Sequence, residues 1–381
     1  MSRRRSAHRD ELTRIEILAE LGAAGPLNRS ELASRLGLGP ATVTDHTRRL
    51  VGAGYLRELP PEGNGVGRPR IPLTVVADAA YALGVRVNVG QVVRVLVRLD
   101  GTIAQEERHA FDATTDPVRQ LADIVRLAFA DPDTGPRILG VGVAVPGITD
   151  ATTGLVRMAP RLGWRELPLG EGLAADLGIP VLVDNDLRAS TTTELLFGTG
   201  REHDDFLVLG IGDGVGMGLV LDRQVHRGPD GVAGEFGHMP VSAGGPRCIC
   251  GGYGCVDAYT SESAILRAAA ERGLLPDDAT LADLRTAAAT SAGIRNLLGE
   301  TGAVLGRAVA GVVNLLAVRA VTVVGESHLL WPYLEPGFGA AVDTSVLPPL
   351  RGLKVIVRPW RDSAHARGAA SLVLARGSLL V

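Results

Sequence analysis

Residues 234–255 read GEFGHMPVSAGGPRCICGGYGC, and this stretch holds every cysteine of the chain together with a histidine. The order His238, Cys248, Cys250, Cys255 is the spacing of a metal site. Three thiolates and one imidazole complete a tetrahedral set around zinc and leave no open position, so the site reads as structural. Cys248 and Cys250 make a short chelating loop, and Cys255 and His238 pin the two flanking segments. A disulfide scheme leaves one of three cysteines unpaired, and nothing else points to secretion. The plainer alternative is three buried free thiols beside an unrelated histidine, and the absence of cysteine elsewhere argues against it. Metal binding would also bring Glu235 and Asp257 close to one another, since they lie three residues before the histidine and two after the last cysteine. Two positioned carboxylates are suited to sugar hydroxyls.

On either side of this stretch, strands and helices alternate from residue 80 onward. Residues 83–99 read as two strands of a hairpin, 118–130 as a helix, and Ile138–Val145 as a buried strand ending in Pro146-Gly147. A strand at 181–183 leads through Asp184-Asn185-Asp186 into a helix over 187–197. Phe206–Ile211 enters a glycine run, Gly212 to Gly218, before a strand at 219–221; a helix over 302–316 and a strand Ala320–Val324 follow. This order predicts a two-lobed α/β body whose strand-end loops line a cleft. Asp186 stands where a kinase would place the base for a hydroxyl, although a strand-end Asp is more often a cap. The glycine run suits either phosphate approach or a hairpin turn.

The first 75 residues have a different pattern. Leu12, Ile15, Leu18 and Leu21 form one apolar stripe, broken by Gly25-Pro26. Asn28 with Glu31 predicts a capping box for a second helix, and Gly37-Leu38-Gly39 makes a tight turn. Pro40 opens a third helix, in which Val43, Thr47 and Leu50 face inward. Helix, three-residue turn and helix form a DNA-reading unit, and Ala41, Thr42, Thr44, Asp45 and Arg48 would meet the major groove. Residues 55–59 and 71–74 read as two strands around the tip GNGVGRPR, whose Arg68 and Arg70 suit a narrow minor groove. That is a winged helix; a three-helix protein-interaction module is the alternative. Composition agrees with DNA binding. Residues 1–70 hold 12 arginines against 8 acids, whereas the whole chain has a net charge of −3. The chain has no apolar run of membrane-spanning length and no signal-peptide core, so a cytoplasmic location is expected.

Taken together, these residues resemble the transcriptional-regulator branch of the ROK family (repressors, open reading frames, kinases). The resemblance rests on NRSELASRLGLGPATVTDHTRRLVGAGYL with the Gly67-Arg68-Pro69 wing, on Gly140 to Gly147, on Asn185-Asp186, on Gly234-Glu235-Phe236-Gly237-His238, and on the cysteine stretch 248–255. It implies an α/β fold: an N-terminal winged helix-turn-helix over 1–75, then a two-lobed actin-like body with ribonuclease H-like cores over 76–381. It implies sugar binding by Asn185, Asp186, Glu235, His238 and Asp257, structural Zn2+ on His238, Cys248, Cys250 and Cys255, and a homodimer or dimer of dimers. Two departures matter. The kinases' Asp-x-Gly-Gly-Thr phosphate loop is Arg86-Val87-Asn88-Val89-Gly90-Gln91 here, so no catalytic residue is expected and Asp186 is at most a vestigial base. The acid after the last cysteine, usually Glu, is Asp257.

The expected function is therefore a sugar-responsive DNA-binding regulator, a repressor of carbohydrate-metabolism genes. Its partners would be a double-stranded operator and a sugar or sugar phosphate. The alternative is an ATP-dependent sugar kinase of the same family.

Overall fold

The computed structural model describes residues 2–61, 70–129 and 137–380, arranged in two compact units, Met1–Arg201 with Asp362–Val381 and Glu202–Arg361. The first unit opens with helices α1 (Ser2–Ala24), α2 (Arg29–Leu36) and α3 (Pro40–Gly52). Asn28 caps α2 in the expected capping box: its side chain accepts from the Ser30 and Glu31 N–H groups, and Glu31 returns a bond to the Asn28 N–H. Gly37 closes α2, Pro40 starts α3, and Val43, Thr47 and Leu50 are buried as expected, with His46 beside them. The wing strands β1 (Leu56–Glu58) and β2 (Leu73–Val75) pair antiparallel, Leu56 opposite Val75. Arg68 and the rest of the Gly67-Arg68-Pro69 tip lie outside the described residues.

Strands β3 (Tyr81–Asn88), β4 (Gln91–Arg98) and β5 (Ile103–Ala110) form an antiparallel meander. Helix α4 (Pro117–Phe129) leads to β6 (Ile138–Val145), which lies parallel to β3. A separate three-stranded sheet holds β7 (Ile148–Asp150), β8 (Leu155–Ala159) and β9 (Trp164–Leu167). After α5 (Leu169–Leu177), β10 (Val181–Asn185) joins β6 in parallel and α6 (Asp186–Phe197) follows. Both faces of β4 are covered: Val93, Val95 and Val97 pack in one apolar cluster, Val92 and Leu96 in another. That is why apolar residues stand at adjacent positions, Val92-Val93 and Val95-Leu96-Val97, instead of alternating with polar ones.

In the second unit, β11 (Phe206–Ile211), β12 (Val215–Leu221) and β13 (Gln224–Val225) repeat the antiparallel meander. Short α7 (Asp257–Thr260), α8 (Glu262–Glu271), α9 (Leu281–Thr290) and the long α10 (Ala292–Leu316) precede β14 (Ala320–Val324), parallel to β11. Helix α11 (Trp331–Ser345) and β15 (Lys354–Val357), parallel to β14, complete the unit. The two five-stranded sheets have one plan. Their orders are β10-β6-β3-β4-β5 and β13-β12-β11-β14-β15, each a three-stranded meander extended beside its first strand by two parallel strands. The glycine run is the hairpin of the two sequence alternatives: Gly212 to Gly214 turn between Ile211 and Val215, and Gly216 and Gly218 lie in β12.

The chain returns to the first unit as α12 (Ser363–Leu374). This helix lies so close to the sheet that a Cβ on Gly84 or Gly142 would collide with the carbonyl oxygens of Ala366 and Ala369. Its other neighbour is α6, where the Ser190 hydroxyl lies 2.7 Å from His365 Nδ1 and the Thr193 and Ser371 hydroxyls are 2.9 Å apart. His365 Nδ1 is also 3.1 Å from the Asp186 carbonyl oxygen.

Burial pushes His365 down to about 4, helped by the positive charge of Arg86 and opposed by Asp186. The unfolded chain therefore takes up a proton near pH 6.5 that native His365 refuses until about pH 4. The stability this contributes is complete above pH 6.5 and falls as pH drops toward 4, by on the order of 3 kcal/mol. His365→Gln should flatten that part of the stability–pH profile measured by urea unfolding, and an unchanged slope would place the proton uptake elsewhere.

Candidate functional site

In the second unit the backbone folds the cysteine stretch back on itself. The Val241 N–H donates to Gly254, the Val256 N–H to Met239, and the Cys248 N–H to Gly252. Buried Phe236 and Val256 anchor the two flanks in the unit's core. His238, Cys248 and Cys250 present ligand atoms that all lie within 4.8 Å of one another. Cys248 Sγ is 3.5 Å from His238 Nδ1, and Cys250 Sγ is 3.8 Å from Cys255 Sγ. Tetrahedral coordination at the usual zinc bond lengths has N···S and S···S edges of about 3.5 and 3.8 Å, which these two separations match; Cys255, the fourth expected ligand, approaches Cys250 but is not in the group of three. The residues present can hold a metal ion.

The other nitrogen of the same imidazole faces away from the thiols: His238 Nε2 is 3.9 Å from Glu235 Oε2. Glu235 is half exposed, while Asp257, at the start of α7, is buried. One Asp257 oxygen accepts the Val215 N–H at 2.9 Å. Burial raises this carboxyl above its usual range, and the Val215 N–H and the His238 charge pull the other way. Glu235, His238 and Asp257 are thus brought together within the second unit by the turn that carries the cysteines.

Asn185 and Asp186 belong to the first unit, at the β10–α6 junction. Asn185, rather than Asp186, is the helix cap: its Oδ1 accepts the Leu187 and Arg188 N–H groups at 3.0 and 3.2 Å. Its Nδ2 donates to Gly147 O at 3.1 Å, which leaves one amide N–H beyond these bonds. Beneath the turn is a buried network that the sequence reading missed. Arg188 Nε donates to Asp184 Oδ1 at 2.7 Å, and Nη2 donates to Thr149 Oγ1 at 3.0 Å. The same Asp184 oxygen takes the Asn185 N–H at 2.8 Å. Asp184 and Arg188 are four residues apart across a helix start, a pairing legible in the sequence.

The stretch corresponding to a kinase phosphate loop is a tight hairpin, with Asn88 opposite Gln91 and Val89-Gly90 between them. Arg86 and Asn88 are partly buried positions of β3.

On the head, Ala41, Thr42 and Arg48 are exposed and Thr44 and Asp45 partly so, all on the side of α3 away from its buried residues. Asp45 pairs with Arg49 at 2.9 Å, which draws it toward the helix surface. Arg70 is exposed at the base of the wing.

A winged helix leading into an α/β body with paired β-meander sheets and a turn that gathers His238, Cys248 and Cys250 defines a class of two-part proteins. The family model for the ROK family matches residues 82–376, and that for the MarR family matches residues 11–65. The chain belongs to the ROK family, with a MarR-type winged helix at its N-terminus and an actin-like body. It is 26% identical to the xylose repressor of Bacillus spizizenii over 94% of each chain. It is 26% identical to the DNA-binding transcriptional dual regulator NagC of Escherichia coli, over 92% of this chain and 89% of that one. A crystal structure of a ROK family transcriptional regulator, a homolog of the E. coli MLC protein, superimposes with a TM-score of 0.81 at 27% identity, covering 98% of each chain.

Removing one partner of the Asp184–Arg188 pair leaves a charge buried and uncompensated. Arg188→Ala should therefore cost about 3–5 kcal/mol in urea unfolding, and adding Asp184→Ala should recover part of the loss. A cost below about 1 kcal/mol would mean that the network does not hold the Asn185–Asp186 turn.

Proposed function

We propose that this protein is a sugar-responsive transcriptional repressor of carbohydrate-metabolism genes. The likeness over 98% of the chain to a ROK transcriptional regulator, head and body together, carries this reading. Residues 1–75 form the DNA-reading head in this proposal and residues 76–381 the effector-binding body. Ala41, Thr42, Thr44, Asp45 and Arg48 read the major groove, with Arg68 and Arg70 on the wing. The exposed side of α3 supports the assignment for the α3 residues and the exposure of Arg70 for that one; Arg68 is outside the described residues.

The effector is a sugar or sugar phosphate, and the residues proposed to bind it are Asn185 and Asp186 of the first unit and Glu235, His238 and Asp257 of the second. The imidazole geometry supports a double role for His238, with Nδ1 toward the thiols and Nε2 toward Glu235. Zn2+ held by His238, Cys248, Cys250 and Cys255 would supply no chemistry beyond fixing this turn. Effector binding changes operator affinity only to the extent that the sugar prefers one arrangement of the protein. The working form is a homodimer or dimer of dimers, because paired half-sites call for paired heads. The location is cytoplasmic, where operators are found; among the described residues no helix is long and apolar enough to cross a membrane. Arg86 and Asn88, standing in β3 where the kinases' phosphate loop has an acid and a glycine, favour a regulator over a sugar kinase.

Protein purified without added metal should carry about one zinc per chain. Cys250→Ser should lower both that content and the thermal stability, because bound structural metal contributes folding energy. Metal-free protein that is fully folded and binds DNA would overturn the zinc assignment.

The function is tested on a duplex selected from a random-sequence pool by the full-length protein, titrated with D-xylose, D-glucose and N-acetylglucosamine. At least one sugar should change duplex affinity. Arg48→Ala should weaken binding by about 1–3 kcal/mol if it reads a base. Glu235→Ala should keep duplex binding and lose the sugar response. Absence of sequence preference in the selected pool would sink the regulator reading.

A further inference from the structure

Helix α1 was expected to have one apolar stripe, yet it is buried on two sides: Ile15, Ile17, Leu18, Ala19, Glu20 and Leu21 are all buried. One side belongs to the head, where Glu20 Oε1 accepts from Arg35 Nη1 of α2 at 2.8 Å. The other lies on the body of the first unit, where Ile15, Leu18 and Ala19 face Leu99, Leu196, Phe197, Leu374 and Leu380. The approach there is close enough that a Cβ on Gly22 would sit 2.9 Å from the Asp100 Cα. The head is therefore joined to the first unit by a shared apolar core, with Tyr55 adding a second contact under the Arg137 guanidinium at 5.0 Å.

Glu20 is a buried charged residue within this joint. Its side chain is only 10% exposed, and Oε2 takes Arg201 Nε and Nη2, both at 3.3 Å. Arg201 is the last residue of the first unit before the chain enters the second at Glu202. Glu202 in turn pairs at 2.6 Å with Lys354, at the start of β15 and the only lysine of the chain. Of two consecutive residues at the crossing, one is thus held by the head and the next by a strand of the second unit.

We propose that Glu20 is a positioning residue for the regulation of the head rather than for duplex binding itself: through Arg201 it ties the head to the chain crossing, so that the state of the crossing and the state of the head are coupled. Its coupling to the effector rests on the function proposed above. Coupling is reciprocal, so DNA bound to the head must be felt at the crossing. Spatial intermediacy does not show it, and a variant that uncouples the two ends does.

The test follows amide hydrogen exchange over residues 199–206 in the full-length protein, with and without the selected duplex. Duplex should slow exchange there at least threefold in the wild type. Glu20→Gln and Arg201→Gln should each remove most of that protection while changing duplex affinity less than about threefold. Arg35→Gln, which breaks only the head-side bond, should retain it; a merely structural role for Glu20 would make all three variants behave alike. Arg201, partly exposed, serves if Glu20→Gln folds poorly. Any sugar that shifts duplex affinity in the wild type should shift it less than half as much in Glu20→Gln and Arg201→Gln. Wild-type protein without the exchange effect, or Gln variants that keep it, would overturn the proposal. If no sugar acts on the wild type while the exchange results hold, the effector reading fails and the positioning role of Glu20 stands.

Discussion

The contact of α12 with the first sheet is the constraint on which the first unit rests. Small residues meet on both sides: Gly84 and Gly142 on β3 and β6, Ala366 and Ala369 on the helix. This lets a helix near the end of the chain seat itself against the sheet at backbone distance. From that seat α12 fixes α6 through Ser190 and Thr193, and α6 begins at the Asn185 cap that orients the turn carrying Asp186. The same helix supplies Ala366, Ala370, Val373 and Leu374 to the cluster that receives α1. Burial of tightly fitted apolar surface leaves few alternative packings. The head is therefore held by the body's core and not only by the chain between them.

The second unit reaches an ordered site differently. Its cysteine turn contains few apolar residues and much glycine, so little hydrophobic burial is available to define it. Backbone bonds from Val241, Cys248 and Val256 close the turn, and Phe236 and Val256 root it in the core. His238, Cys248 and Cys250 then present donor atoms within 4.8 Å of one another. Glu235 and Asp257 are placed by the same turn, one half exposed and one buried with a backbone N–H on its oxygen. A carboxylate so held is already desolvated and oriented before any partner arrives, which lowers the cost of binding.

Much of this was legible beforehand because the signals are local. The capping box at Asn28 and Glu31, Pro40 at a helix start, and the buried Val43, Thr47 and Leu50 depend on neighbours three or four residues away. The cysteine and histidine spacing is local too. The edge strand β5 was not legible. Its sequence IAQEERHA is half exposed, so alternation is lost among polar residues. The small sheet of β7, β8 and β9 was missed for a related reason, since its strands are three to five residues long.

The sequence by itself determined the winged head, the clustering of His238 with the cysteines and the α/β alternation of the body, because periodicity, caps and residue spacing act over a few residues. Only the tertiary structure decided the rest. It brought Thr149 onto Arg188, seated α12 on Gly84 and Gly142, and gave α1 a second buried face with Glu20 between Arg35 and Arg201. These depend on contacts between residues as far apart as 20 and 201, and no local pattern encodes which distant side chain will fill a buried position.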